Sequence, residues 1–274
     1  MTTTDLFLAR LAAEEAILIT VHASRGSVPR EQGAWMAVFS HGIVGTVGGG
    51  HLEFQAIAEA RQRLAGGGGE PVLRYTLGPA LGQCCGGEVH LRFEPVHAAD
   101  IDSLHTRLAA TRYPVALFGG GHVGHALVRV FGALPLQVTW VDSRDEIFPA
   151  TVPSNVLCEY SDPVQAAVAP LAPQSRVLIM SFSHAEDLDV VAACLTRQRL
   201  RADLPYIGLI GSRTKWATFR HRLEARGFTA QELAQVTCPI GIPGISGKQP
   251  EVIAVAVAAQ ILQTLPAHSE RCGD

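Results

Sequence analysis

Apolar and polar positions change rhythm partway along the chain. In the first part, helical and strand spacings are mixed. The stretch DLFLARLAAEEA places Leu6, Leu8 and Leu11 at helical spacing, and AILITVHA is a β-rich run that ends in the polar loop SRGSVPREQGA. WMAVFSHGIVGTV reads as a hairpin with His41 and Gly42 at its turn. GGGHLEFQAIAEARQRLAGGGG reads as a glycine loop, a helix and a glycine stop. Two further strands, PVLRYTL and EVHLRF, flank ALGQCCGG, so Cys84 and Cys85 are expected on a strand-to-strand turn.

Residues 98–112 read as a connecting helix. Beyond them, YPVALF, LQVTWVD, SNVLCEY, RVLIMSF and LPYIGLI are continuous apolar runs of strand length separated by helical stretches. Strands buried on both faces of a parallel sheet have this character. The expected fold is α/β. It has an N-terminal mixed α/β domain over 1–97, and a Rossmann-like parallel-sheet domain over 113–274 follows the connecting helix. The apolar VIAVAVAAQIL forms a buried helix within 249–263 that packs on one or other domain. Cys158, Cys194 and Cys238 fall in strand or helix patterns and are expected in the core.

Composition narrows the function classes. The 274 residues are 47 % hydrophobic and 17 % charged, with a formal net charge of −3. Such a balance suits a globular protein and gives no basic field for nucleic acid. The N-terminus lacks a basic stretch followed by an apolar core, and no run reaches the roughly 18 apolar residues of a membrane span. A cytoplasmic protein with no membrane association is expected. Six scattered cysteines do not make a disulfide framework.

The most specific motif is FGGGHVGHALVRVFG. Gly119, Gly121 and Gly124 satisfy the dinucleotide fingerprint directly after a strand and at the start of a helix, and Asp142 ends the next strand. Gly119 would permit the tight turn, Gly121 would let a phosphate approach the backbone, and Gly124 would allow close helix–strand packing. Asp142 is placed to accept from a ribose hydroxyl. One reading is therefore an NAD(P)-dependent oxidoreductase, with His184 after the RVLIMSF strand as its acid or base. The other is Rossmann architecture without nicotinamide chemistry. His122, just after the glycines, would touch the ligand or stand in solvent.

In order along the chain, GSVPREQGAWMAVF, GTVGGGHLE, LGQCCGG, LFGGGHVG, YIGLIGSRTKWATFRHRL and CPIGIPGISGKQPEVIAVAVAAQIL closely resemble the xanthine dehydrogenase accessory proteins of the XdhC/CoxI family. The likeness runs from about residue 20 to 263. It implies a non-catalytic chaperone that binds molybdenum cofactor, either molybdopterin or its cytosine dinucleotide. Such a protein supports sulfuration of the cofactor by a cysteine desulfurase and delivers it to apo-xanthine dehydrogenase. The resemblance also implies a homodimer.

For an anionic pterin, three glycine-bounded loops offer backbone donors: Gly48, Gly49 and Gly50; Gly119 to Gly124; and residues 244–248, with Ser246 and Lys248 before a helix that Pro250 starts. Arg30 and Arg213 offer planar forks for a phosphate or a pterin carbonyl. Arg213 and Lys215 stand at a helix start, where the dipole disfavours cations. Cys85 aligns with the family's Cys-Gly-Gly, which makes it the better candidate for a reactive thiol or a molybdenum contact, with Cys84 second. Adjacent cysteines serve one tetrahedral zinc ion poorly. Against these readings, each of the loops is also a plain turn, and each cation a solvated one.

Overall fold

The computed structural model describes residues 2–77, 87–109 and 111–266. Cys84, Cys85 and Cys272 lie outside them. The chain divides into two compact units, 1–109 and 110–274.

In the first unit, helix α1 (Thr3–Leu11) starts at a Thr2 cap whose side chain accepts from Asp5 N while Asp5 answers the Thr2 N–H. Its inward face is Phe7, Leu8 and Leu11; Leu6 is 45 % exposed. Leu8 and Leu11 thus face inward as the spacing predicts, and Phe7 takes the place of Leu6 because it sits one turn before Leu11 on the same face. Strands β1 (Ala16–Arg25), β2 (Trp35–Val38), β3 (Ile43–Gly45), β4 (Val72–Thr76) and β5 (Glu88–Val96) form an antiparallel sheet in the order β3-β2-β1-β5-β4. The β2–β3 turn carries Gly42 at a φ of 95°, as the hairpin reading requires. Strand β1 is buried on both faces. Ile17, Ile19 and Val21 face helix α2 (Gly50–Leu64), through Leu52, Ala56 and Ala60. Ala16 and Leu18 face α1 and helix α3 (Ile101–Arg107), through Phe7 and Leu104. Helix α3, within the stretch expected as a connector, thus packs into the first core.

The second unit is a parallel sheet of β6 (Tyr113–Phe118), β7 (Leu136–Asp142), β8 (Val156–Tyr160), β9 (Arg176–Ile179), β10 (Tyr206–Leu209) and β11 (Val236–Thr237). Across the sheet the order is β8-β7-β6-β9-β10-β11, the doubly wound order whose chain direction reverses between β6 and β9. Helices α4 (His122–Phe131) and α8 (Pro250–Gln263) cover one face through Leu127, Phe131, Val257 and Ile261. Helices α5 (His184–Arg201), α6 (Arg213–Ala225) and α7 (Ala230–Leu233) cover the other, around Val191, Cys194 and Phe219. Helix α8 is secured to this unit: the buried Arg176 donates to the Thr264 carbonyl at 2.8 Å, just past the helix end. Among the described residues, no helix is long and apolar enough to cross a membrane.

One buried polar residue holds α4, β7 and β8 in register. Asn155, 3 % exposed, donates through Nδ2 to the Phe131 and Leu136 carbonyls, both at 2.9 Å. Asn155→Ala removes two buried hydrogen bonds, although the Phe131 carbonyl still accepts from Leu134 N at 3.1 Å, and is expected to cost about 1–3 kcal/mol. A urea unfolding curve monitored by far-UV circular dichroism measures that loss.

Candidate functional site

In open parallel sheets, ligands meet the carboxyl ends of the strands where the chain direction reverses. Here that point lies between β6 and β9, and the fingerprint glycines occupy it with three distinct environments. Gly119 has a φ of 119°, and a Cβ there would lie 1.9 Å from the Met180 carbonyl oxygen. The backbone after β6 and the backbone after β9 touch, and only glycine permits it. A Cβ on Gly124 would lie 2.2 Å from the Gly119 carbonyl oxygen, so α4 presses directly on the turn. Gly121 differs from both: it is exposed, its φ is −74°, and a Cβ would meet nothing within 4 Å. Gly121 is also the N-cap of α4, and no side chain caps it. Open space thus faces the uncapped start of a ten-residue helix.

Asp142 stands beside this turn but faces inward. It is 1 % exposed. Its Oδ2 accepts from Gly120 N at 2.6 Å and Arg144 Nη2 at 3.0 Å, and its Oδ1 accepts from Arg144 N at 2.9 Å and Arg144 Nε at 2.8 Å. A carboxylate has about four lone-pair sites, and all are taken. Burial works to raise its pKa; the bonds from Arg144 and Gly120 outweigh burial and hold it below the ordinary value. The sequence places Asp142 to accept a ribose hydroxyl. In the fold it binds the glycine loop to Arg144 instead.

The Arg144 guanidinium lies 4.3 Å from the ring centroid of Phe182, which is 67 % exposed at the mouth of the β9–α5 turn. Nearby, Ser143 Oγ donates to Glu186 Oε1 at 2.6 Å, while Glu186 Oε2 and Ser181 Oγ are buried with no hydrogen-bond partner. None of Phe182, Arg144, Ser181 and Glu186 is among the candidate residues that the sequence motifs single out. An aromatic in the polar SFSH stretch after a strand was the available signal.

His184 is the first residue of α5 and is exposed, with its ring edge-on to Phe219 at 6.2 Å. The cap is Ser183, whose side chain accepts from Glu186 N, so His184 does not cap the helix. His122 opens α4 and is exposed. At the end of β10, Ser212 caps α6 and Arg213 is its exposed first residue, with no ion-pair partner among the described residues. Lys215, the second cation there, is explained internally. Its Nζ donates to Asp187 Oδ2 at 2.6 Å and the Ile210 carbonyl at 2.9 Å, while Asp187 Oδ1 accepts from Ser181 N at 2.7 Å. Burial pushes the Asp187 carboxyl up, and the Lys215 ammonium pulls it back without restoring its ordinary value. Cys194 is fully buried, as expected. Cys238 is half-buried at the exit of β11, with Sγ 4.0 Å from the Ser212 carbonyl, because a two-residue strand does not carry it into the core.

Ser246 and Lys248 are exposed in the loop before α8. Beneath that loop lies a pocket of about 110 Å³ lined by Ile240, Ile242, Ile245, Val252 and other apolar groups. At that volume it is too small to hold a pterin phosphate.

In the first unit, the glycine loop before α2 is already filled. Glu53 Oε2 accepts from Thr46 Oγ1 at 2.5 Å, Gly49 N at 3.1 Å and Val47 N at 3.2 Å. The anion in the Gly48, Gly49, Gly50 turn is the chain's own carboxylate. Gly48, at a φ of 135°, lies so close to Pro29 that a Cβ would sit 2.5 Å from its ring, which brings the Arg30 loop onto this turn; Arg30 itself is exposed. Gly87 lies equally close to the Ser27 carbonyl, and Leu77 N donates to Gly87 O at 2.8 Å. The residues that flank 78–86 therefore adjoin the Ser27–Arg30 loop. The candidate thiols Cys84 and Cys85 lie outside the described residues. Among the described residues, no group of three or more His, Cys, Asp or Glu side chains converges to hold a metal ion.

Comparison with known proteins agrees with this architecture. Residues 115–261 match the family model of the XdhC Rossmann domain, and residues 9–76 match that of the XdhC and CoxI family. An uncharacterised Escherichia coli K12 protein, YqeB, is 26 % identical over 248 residues, which cover 88 % of this chain and 42 % of that protein. The chain thus spans less than half the length of that curated relative. A crystal structure described as a xanthine dehydrogenase from Bacillus halodurans has the same fold, with a TM-score of 0.78 at 18 % identity, covering 100 % of this chain and 98 % of the other.

Proposed function

The chain belongs to the XdhC and CoxI family, and from that premise we propose that it is a cytoplasmic accessory protein for xanthine dehydrogenase. Its cargo is the molybdenum cofactor, an anionic pterin that it shelters, presents to a cysteine desulfurase for sulfuration, and delivers to the apo-enzyme as a homodimer.

The observation that carries this reading is the pairing of an open Gly121 with a saturated Asp142 at the turn of the chain direction. A phosphate has donors to meet there: the uncapped N–H groups at the start of α4. Phe182 supplies a face for a planar ring, and Ser181 Oγ and Glu186 Oε2 are unpaired polar atoms at the same edge. The residues fit an anionic, planar, polar-edged molecule. Arg213 stands at the neighbouring strand end as a further cation. Cargo held this way brings its own molybdenum and dithiolene chemistry; the chain's part is to bind the phosphate, hold the ring and limit water. Cys85 remains the proposed thiol toward molybdenum.

The oxidoreductase reading asks Asp142 for a lone pair that Gly120 and Arg144 already use. A nicotinamide dinucleotide would have to break those bonds to seat its ribose.

The test is activation in cells. Xanthine dehydrogenase expressed with this chain is expected to reach full activity and full cofactor content, and without it to accumulate as folded, cofactor-poor enzyme. Equal activity and cofactor content in both strains would refute the accessory role.

A further inference from the structure

The first unit holds a second concave site, distinct from the glycine turn, and its chemistry is donor-rich. Thr20 and His22 of β1 and Arg92 and Glu94 of β5 line a pocket of about 270 Å³, closed by Gln32 and Gly33 of the loop after β1 and by Arg107 and Leu108 at the end of α3. Thr20 and Arg92 are direct cross-strand partners. A bulge between Val21 and Ala23 leaves His22 as the extra residue of β1, and bulges commonly re-aim a side chain beside a site. The loop is fixed to the strand: Val21 N donates to Ala34 O at 2.8 Å, and Gly33 N to Val21 O at 2.9 Å.

The charges do not balance. Among the described lining residues, Glu94 is the one carboxylate, and Arg107 takes both its oxygens in a fork, at 3.0 and 3.2 Å. Arg92 is left with His22 Nδ1 at 3.4 Å and no carboxylate within ion-pair distance among the described residues. The remaining side chains are donors or mixed groups: the Arg92 fork, the Thr20 hydroxyl, the Gln32 amide and the His22 ring. Donors from two strands and a loop suit a tetrahedral oxyanion, with three or more oxygens to satisfy, better than a flat carboxylate. The volume lies just under that of typical sites for drug-sized ligands, roughly 300–1,000 Å³, so the ligand is small.

We infer that this pocket binds a small phosphate-bearing ligand, with Arg92 as its principal anchor and Thr20, His22 and Gln32 as its other contacts. The inference is independent of the cofactor reading, since the pocket shares no residue with the edge of the parallel sheet.

The experiment titrates inorganic phosphate into the full-length protein in chloride buffer and follows the His22 ring resonances by NMR, assigned by their loss in His22→Asn. Saturable shifts are expected in the native protein, with affinity reduced at least tenfold in Arg92→Gln and a few-fold in Gln32→Ala. Arg61→Gln, an exposed arginine on α2, should leave the affinity unchanged. Acetate in place of phosphate should give shifts at least tenfold weaker. Absence of saturation in the native protein, or equal affinity in Arg92→Gln, overturns the proposal. Acetate binding as strongly as phosphate overturns the assignment to phosphate. Because no molybdenum pterin is used, failure here leaves the cofactor reading standing, and the reverse holds too.

Discussion

Gly119→Ala is expected to unfold the second unit. Position 119 requires a φ of 119°, and the new methyl group would sit 1.9 Å from the Met180 carbonyl oxygen. That oxygen is backbone at a point where the strands are bonded, with Met180 N donating to Phe118 O at 2.8 Å. No side chain can move aside. Relief means parting β6 from β9 at the centre of the sheet. Backbone strain alone costs about 1–3 kcal/mol; with the ladder disturbed, the total should exceed about 4 kcal/mol, a rare size for one methyl group. Gly121→Ala, two residues on, is the control. Its φ is ordinary and its surroundings are open, so it should cost no more than about 1 kcal/mol. Urea unfolding of the two variants side by side would show the contrast, and a stable Gly119→Ala protein would contradict the described turn.

The second large effect is expected at Lys215. Among the described residues, its ammonium is the one cation in an ion pair with Asp187, whose side chain is 3 % exposed. Lys215→Ala leaves that carboxylate buried and uncompensated, at about 3–5 kcal/mol. It also frees the Ile210 carbonyl and loosens the turns after β9 and β10 together. Pairing Lys215→Met with Asp187→Asn removes both charges and should recover most of the loss. The pH dependence has a definite sign. Asp187 already titrates above its ordinary value through burial, and losing Lys215 removes the main charge that pulls it down. The folded variant then binds a proton that the unfolded chain has released, so its stability falls as pH rises through the range just above the ordinary carboxylate value. The deficit of Lys215→Ala against the native protein should therefore narrow on acidification.

These two residues show what the sequence discloses and what it withholds. The turn at Gly119 and the packing contact at Gly124 were legible because each is local, within one strand–helix junction. The runs YPVALF to LPYIGLI were legible for the same reason, since burial on both faces writes itself as unbroken apolar sequence. Lys215 read as a cation misplaced at a helix start. Its reason, Asp187, lies 28 residues away on another helix, and only the sheet brings them together. Asp142 stands beside the glycines where the spacing puts it, but not free for a ribose hydroxyl: its Arg144 fork depends on side-chain rotamers that spacing does not report. The Gly48 to Gly50 turn looked like an empty anion cradle, although its anion, Glu53, stands inside the same motif. An acidic residue in the first turn of the following helix was the overlooked signal. The Arg92 pocket left no motif, because its walls come from a bulged strand, a distant strand, a loop and a helix end.

The central claim is that the start of α4 receives an anionic pterin. Gly121→Asp tests it without disturbing the fold, since aspartate is a favoured N-cap and the space is open. It also places a carboxylate where the phosphate should sit. Native and variant proteins, co-expressed anaerobically with an active cofactor pathway, are purified and denatured, and the released small molecules are separated by chromatography with pterin fluorescence detection. The native protein is expected to release molybdenum pterin in near-stoichiometric amount, and the folded variant at least tenfold less. No pterin from the native protein, or equal pterin from both, would contradict the account.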